Sequence, residues 1–427
     1  MKTLTFLLTG FIVLTALFWA SQQDDELSKV SLSLINKVET AAKGEESEAY
    51  LYLLGIEASA DLDPIELGRW KLAENKKAAA QQDYQIQPHP KSITFSFPRD
   101  DLMCHSSKPD CISSLFTHKF DLDELLSQNA LLIHRINTFN HYDEFRTLSK
   151  PTISEVIPSY HYIGQINRLY TLSAIALYQQ HKTDSAIHLL LNNIVVLRAK
   201  MSLQDTLIGK LVYVSLISQQ LDALSLIISR SESHSPLNKI KPLSLAEKSL
   251  DMPFAREFAM SYYNFKELDR NPDFWEPEGQ SSPWITRSMF KPNMTINTIS
   301  PSFLKVMQLV ESSPIEFSSY LITPEEYETT PFYSVVRNYV GTILLNIQTP
   351  DFSEYVARFF DLDAKIILFN QFHINELKTS QIINPYYPDE HAYMNENKLC
   401  FSGIKEKEYA LEQRCLLINT LVQAIPQ

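Results

Sequence analysis

Residues 203–228, with the sequence LQDTLIGKLVYVSLISQQLDALSLII, decide the fold. Apolar residues recur there every three or four positions, which is the spacing of one helical face and not the alternation of a strand. This stripe consists of Leu203, Leu207, Leu211, Val214, Ile217, Leu221, Leu224 and Ile228. The pattern predicts a long helix with one buried face, and we interpret it as core packing rather than as a cofactor site.

The rest of the chain favours helices too. Only 9 of its 427 residues are glycine, well below the usual share of about 7%, and hairpin-rich β folds use glycine freely in turns. Prolines such as Pro301 and Pro331 are expected to mark breaks, and Asp121, Thr183 and Asp351 are expected to act as N-caps. Aspartates in three Asp-x-Asp triplets, at 61–63, 121–123 and 361–363, are expected to cap helix starts and turns. The predicted helices span 26–43, 46–58, 64–82, 121–139, 158–181, 184–201, 203–230, 244–250, 253–268, 301–312, 331–346, 352–378 and 405–422.

These elements predict an all-α fold with long loops and at most a minor strand near 93–97. The architecture is either an irregular helical bundle or a short tetratricopeptide-like helical array. One hairpin at 160–201 has the small residues and the turn of such a repeat, but no second copy follows at the required spacing. We expect an N-terminal helical region at 22–268, a Trp- and Pro-rich loop or linker at 269–300, and a C-terminal helical region at 301–427.

The N-terminal residues 1–21 predict export. Lys2 precedes an uncharged apolar run from Thr3 to Ala20, and acidic residues follow at 24–26, the pattern of a signal peptide or signal anchor. Phe18 is a poor residue at the third position before a cut after Ala20, so we expect the segment to remain as a single-pass inner-membrane anchor. Its N-terminus would be cytoplasmic and the body periplasmic. Cleavage would leave a free periplasmic protein.

The charge of the chain limits the classes of partner that the protein is expected to bind. The formal net charge of -12 disfavours nucleic acid and anionic lipid headgroups, since both need basic surface. We expect membrane contact through the N-terminal segment, an envelope protein as partner, and no cofactor.

The four cysteines form two close pairs, and an exported protein would oxidise them. We predict the disulfides Cys104–Cys111 and Cys400–Cys415 over the two other connectivities. His105 and His118 flank the first pair, but six residues separate its cysteines, too many for the usual short zinc loop. We therefore predict no metal site.

No glycine-rich phosphate loop, nucleophile elbow or other recognised catalytic pattern occurs in the sequence. The weak catalytic candidates are Glu276 and Glu278, which lie between Trp275 and Trp284, with Asp273 two residues before Trp275. A carboxylate pair beside indole rings could hydrolyse a glycosidic bond, although an acidic loop with tryptophans in a helical core needs no substrate. A second possible recognition surface combines Tyr386, Tyr387, His391 and Tyr393.

Several stretches resemble a group of uncharacterised, N-terminally anchored helical proteins of Gram-negative bacteria. The resemblance covers about residues 45 to 420 and is carried by helical patterns rather than by a catalytic motif. It implies an envelope location and a helical fold, and it supplies no activity and no site residues. The matching stretches are AYLYLLGIEA, LIHRINTFNHYDEF, the segment from YHYIGQINRLY to TLIGKLV, NYVGTILL, FDLDAKIILF, NPYYPDEHAY and LCFSG.

We expect a periplasmic, membrane-anchored interaction or assembly module. The alternatives are a cell-wall glycan hydrolase that uses the 273–284 loop and a ligand-binding ectodomain. Catalysis is therefore uncertain, with the balance against an enzyme.

Overall fold

The computed structural model describes residues 22–44, 46–81, 87–97, 100–103, 111–231, 238–275, 283–322, 332–348, 351–403 and 414–419. Of these residues, 65% are helical and 4% are in strands, which confirms the all-α class. The predicted signal segment 1–21 lies outside the described residues.

In the part of the chain that the structure describes, six α-helices precede the long central ones. Serine and aspartate side chains cap several of them, and Asp121 accepts a hydrogen bond from the Glu124 backbone as predicted. The helices are α1 (Lys29–Ala42), α2 (Glu48–Leu54), α3 (Pro64–Gln81), α4 (Cys111–Leu115), α5 (Leu122–Gln128) and α6 (Ala130–Phe139).

The centre of the fold consists of α7 (His161–Gln179), α8 (Thr183–Leu203) and α9 (Leu207–Ser229). The first two form the predicted hairpin, and α9 packs along both of them. Thr206 caps α9 by accepting a hydrogen bond from the Gly209 backbone. The predicted helix at 203–230 is confirmed, although it is buried on more than one face because other elements cover it from several sides.

The second half of the chain adds helices around α9. Two of them, α11 (Asp251–Arg270) and α14 (Pro292–Leu309), pack against each other and against α1, and α18 (Ser353–Phe369) packs on α9. This half contains α10 (Leu245–Lys248), α11 (Asp251–Arg270), α12 (Pro272–Trp275), α13 (Pro283–Ser288), α14 (Pro292–Leu309), α15 (Pro314–Ile322), α16 (Phe332–Arg337), α17 (Tyr339–Gln348) and α18 (Ser353–Phe369).

A small antiparallel sheet near the C-terminus joins β1 (Tyr393–Asn395), β2 (Lys398–Cys400) and β3 (Cys415–Leu417) in that order. Cys400 lies opposite Cys415 in the register, and the two form the predicted disulfide. Strand β3 also contacts α9 and α18, so the sheet is attached to the central helices.

Four sequence expectations were wrong. Pro301 lies inside α14 and does not begin a helix, and α12, α13 and α14 replace most of the loop predicted at 269–300. Of the helix predicted at 405–422, the structure describes only residues 414–419, and there 415–417 form a strand, because β2 offers its backbone as a partner. Asp361 and Asp363 lie within α18, where their carboxylates bond to distant residues and cap no helix start.

One connected hydrophobic cluster runs through the described residues from Leu34 to Ile418. Helices α8 and α9 are long and apolar enough to cross a membrane by length and composition alone. However, 44% and 78% of their apolar windows are buried inside the protein. In this structure they serve as core helices.

Candidate functional site

Only part of the predicted acidic loop lies within the residues that the structure describes. Glu276 and Glu278 lie outside the described residues, as do the side chains of Asp273 and Trp284. Trp275 is 4% exposed, and its Nε1 donates to the Leu268 carbonyl over 2.8 Å. Its ring lies 5.5 Å from that of Phe290. Trp275 is therefore part of the core, and its indole offers little surface to a ligand.

The structure divides the predicted aromatic surface at 386–393. Tyr386 is buried, and its hydroxyl donates to Asp361 Oδ1 over 2.7 Å. Tyr387 is half-buried, whereas His391 and Tyr393 are exposed. Only the last three can meet a partner from solvent, and their role in recognition stays a prediction.

Of the two predicted disulfides, Cys400–Cys415 is present. Cys111 is disulfide-bonded as well, and its predicted partner Cys104 lies outside the described residues. Within the part of the chain that the structure describes, no group of three or more His, Cys, Asp or Glu side chains could hold a metal ion.

A cleft between α9 and α11 is the candidate functional site. One wall is the N-terminal half of α9, where residues spaced by one helical turn share a face, and the other wall is a turn of α11. The cleft has a volume of about 530 Å³, within the range of ligand pockets. Its lining residues are Leu207, Ile208, Leu211, Val212, Ser215, Glu257, Met260, Ser261, Phe352 and Tyr355.

Two aromatic rings at the start of α18 complete the cleft. Phe352 packs against Phe303 at 4.7 Å and against Phe254 at 5.3 Å between ring centroids. Tyr355 lies 6.1 Å from Phe352. Because core aromatic rings hold Phe352, this side of the cleft is fixed. At the opening, Ile208 is 47% exposed.

Among the described residues that line the cleft, Glu257 is the only acidic or basic one. The pKa of its carboxyl is raised to about 7, mainly by burial and further by repulsion from Glu155, while Arg256 partly offsets both effects. The other polar groups are hydroxyls. Ser261 Oγ donates to the Glu257 carbonyl over 3.2 Å, and Ser215 Oγ accepts from Gln219 Nε2 over 3.3 Å.

The nearest cation is already engaged elsewhere. Arg256 pairs with Glu155 through Nη2 and also donates to the Ser149 carbonyl over 3.2 Å. Ser149 Oγ in turn donates to Glu155 over 2.6 Å. Arg256 therefore neutralises Glu155 and leaves Glu257 with no ion pair among the described residues. A carboxyl in this position can accept a cation or a hydrogen-bond donor from a ligand.

Apolar walls with one such carboxyl suit an apolar chain that carries a basic or hydrogen-bond-donating group. The walls would bury the apolar part, and Glu257 would orient the polar part. Near neutral pH the carboxyl is half protonated, so a cation would bind while displacing a proton.

Sequence reasoning missed this site. Glu257 stands in PFAREFAM, where an acid beside core phenylalanines looks like an ordinary residue at the edge of the buried face. The one available signal is that α11 places Glu257 one helical turn from Met260 and Ser261, which is a partly apolar stripe next to the core face. That pattern alone does not identify a cleft.

Buried ion pairs elsewhere attach the sheet to the helices. Lys365 Nζ lies 2.6 Å from Asp222 Oδ2, and Asp222 Oδ1 accepts from the Leu417 backbone over 3.0 Å. Asp361 lies 3.9 Å from Arg414 and bonds to Tyr386. These charged groups are buried and paired with opposite charges, so they attach the C-terminal region to the helices and offer no open site.

Comparison with known proteins does not assign the chain to a family. No protein-family model matches the chain, and no curated protein or solved structure matches it significantly. The resemblance to anchored helical envelope proteins therefore stays a prediction.

Proposed function

We propose that this protein is a membrane-anchored envelope interaction module whose helical body binds a partner in the cleft between α9 and α11. The partner segment combines apolar side chains with a Lys or Arg side chain. The supporting observation is the cleft of about 530 Å³, which is lined mainly by apolar side chains and contains Glu257, a carboxyl with no ion pair among the described residues.

The geometry favours a chain segment over a small polar metabolite. Leu207, Leu211 and Met260 offer apolar contact on both sides of the cleft, and an amphipathic helix or extended peptide buries its side chains in such grooves. Glu257 sets the orientation of the bound segment in the cleft, because the basic group of the segment binds best near the carboxyl. The apolar N-terminal run favours an envelope location for this partner.

Photocrosslinking in the native host tests the proposal. A photoreactive residue is placed at Ile208, at the cleft opening, and at Val195 as the matched control. Val195 is 67% exposed on α8, so both sites are exposed apolar positions on helices. We expect a discrete crosslinked partner from Ile208 and none from Val195. Equal products from the two positions would contradict a specific cleft.

The Glu257→Gln substitution tests whether the negative charge of Glu257 contributes to binding of the partner. A hydrogen bond to a charged group contributes about 1.5–3 kcal/mol, so we expect the Ile208 crosslink or the measured affinity to fall by about tenfold or more. Crosslinking unchanged by the substitution would remove Glu257 from the binding role.

A small amphiphile with an apolar chain and a cationic group could bind the cleft through the same contacts as the proposed peptide segment. Titration of the purified full-length protein with dodecylammonium distinguishes the two sources. Saturable binding that Glu257→Gln abolishes, without any protein crosslink from Ile208, would point to a ligand-binding ectodomain. A protein crosslink that competes with the amphiphile would support the interaction module.

A further inference from the structure

The segment after the predicted anchor is firmly attached to the body. Asp24 accepts hydrogen bonds from the backbones of Asn293 and Met294 over 2.8 and 3.1 Å, so it caps the start of α14. Arg337 pairs with Asp25 over 2.7 Å and also donates to the Gln23 carbonyl. The chain at Gln23 therefore lies beside the end of α16, and no free linker separates residue 23 from the helices.

The inner side of α17 is packed closely on α14. Asn338, between α16 and α17, accepts from the Lys291 backbone over 2.8 Å and donates to Thr295 Oγ1 over 2.9 Å. A Cβ at Gly341 would collide with Thr295. Because this side is fixed against α14, the opposite side of α17 must face outward.

The outward side of α16 and α17 is apolar. Four residues separated by three or four positions share this face, and we call it the α17 face. Residues 338–348 contain no Asp, Glu, Lys, Arg or His. The members of the α17 face and their exposures are Val336 at 48%, Tyr339 at 50%, Ile343 at 40% and Ile347 at 76%.

We propose that the α17 face lies in the interfacial region of the lipid bilayer that residues 3–20 enter. The proposal rests on the predicted anchor and is independent of the cleft. Two residues separate Ala20 from Gln23, and extended chain covers at most about 10 Å between them. Since Gln23 is bonded to Arg337, a membrane-spanning segment ending at residue 20 brings α17 to the membrane surface.

The chemistry of the α17 face indicates which lipids it meets. Interfacial helices bind by burying apolar side chains at the boundary of headgroups and acyl chains, and basic residues add attraction to anionic lipid. The α17 face has no basic residue and the chain is acidic overall. Contact is therefore apolar, does not require anionic lipid, and is insensitive to ionic strength.

Spin labelling of the full-length protein tests this. The nitroxide is attached at Ile347→Cys, at Ile343→Cys as a second position, and at Val195→Cys as the exposed control on α8. Chains that float with phosphatidylcholine vesicles are measured for collision with oxygen, which concentrates in lipid, and with a water-soluble nickel chelate. We expect the oxygen-to-nickel ratio at 343 and 347 to exceed that at 195 several-fold, in low and high salt alike.

Each other outcome overturns the proposal. Equal nickel accessibility at 347 and 195 would place the α17 face in water. Protection of 343 and 347 from both reagents would show that protein covers the face, either a second copy or the segment 1–21 itself. Failure of the unlabelled full-length chain to float would remove the anchor on which the proposal rests, while leaving the cleft experiments unaffected.

Discussion

At the scale of one residue, Glu257 makes stability depend on pH. Its carboxyl pKa is about 7 in the fold against about 4.5 for a glutamate in the unfolded chain, so between these values the folded state retains a proton that the unfolded state has lost. The contribution is most favourable below about pH 4.5, declines as pH rises, and is lost above about pH 7. Glu257→Gln should therefore gain about 1–3 kcal/mol over wild type on moving from pH 4 to pH 8.

Urea unfolding of both proteins at several pH values measures this difference. Glu311→Gln, at an exposed glutamate, is the matched control and should show a much smaller change. If the difference in unfolding free energy between Glu257→Gln and wild type is the same at pH 4 and pH 8, burial does not raise the pKa of the Glu257 carboxyl.

Two helical glycines with different surroundings give a second prediction. A Cβ at Gly68 in α3 would collide with the carbonyl group of Leu51 in α2, whereas one at Gly164 in α7 would meet only Leu216 at 3.9 Å. Gly68→Ala should cost about 2–3 kcal/mol because backbone must move. Gly164→Ala should be neutral or stabilise by up to about 1 kcal/mol. Chemical denaturation compares them, and equal effects would refute the close approach of α2 and α3.

At the scale of elements, the buried pair Lys365–Asp222 joins α18 to α9, and Asp222 continues to β3 through Leu417. Lys365 is 0% exposed. Lys365→Met leaves a buried carboxylate without its cation, so we expect a loss of about 3–5 kcal/mol in unfolding free energy. Adding Asp222→Asn should recover part of that loss, because an amide oxygen can still accept from Leu417.

Lys37 provides the control for this pair. It bonds to Asp251 on the surface, where the two side chains are 37% and 56% exposed, and such pairs contribute at most about 1 kcal/mol. A cost of Lys365→Met no larger than that of Lys37→Met would mean that water reaches the buried pair.

The elements were predictable where local pattern determines them. Helix α9 follows from apolar spacing alone, and Asp121 follows from its capping position. Pro301 misled the prediction because proline is tolerated in a helix when tertiary packing supports it, as α11 and α1 do for α14. The short apolar run at 415–417 suits helix and strand equally, and only its pairing with β2, in which Cys415 faces Cys400, makes it a strand. No local sequence pattern at 415–417 identifies β2 as the partner strand.

The cleft illustrates the same limit at the scale of the whole molecule. Its walls come from residues 207–215, 257–261 and 352–355, which meet only because α9, α11 and the start of α18 pack together. Helix patterns predicted each wall, but not which walls face each other. The predicted candidate site at 273–284 was chosen instead because its residues are adjacent in sequence.

The final prediction concerns how the C-terminal sheet depends on its disulfide. Strands of three residues are marginal alone, and closing a loop of about 15 residues stabilises by about 3 kcal/mol. Replacing both Cys400 and Cys415 with Ala leaves the bond at Cys111 intact. Amides at 393–400 and 414–419 should then exchange about a hundredfold faster. Helices α7 and α8 should keep their protection, because their own packing forms that core. Hydrogen exchange with mass spectrometry measures both regions, and loss of protection across α7 and α8 would show that the disulfide supports the whole fold rather than the sheet.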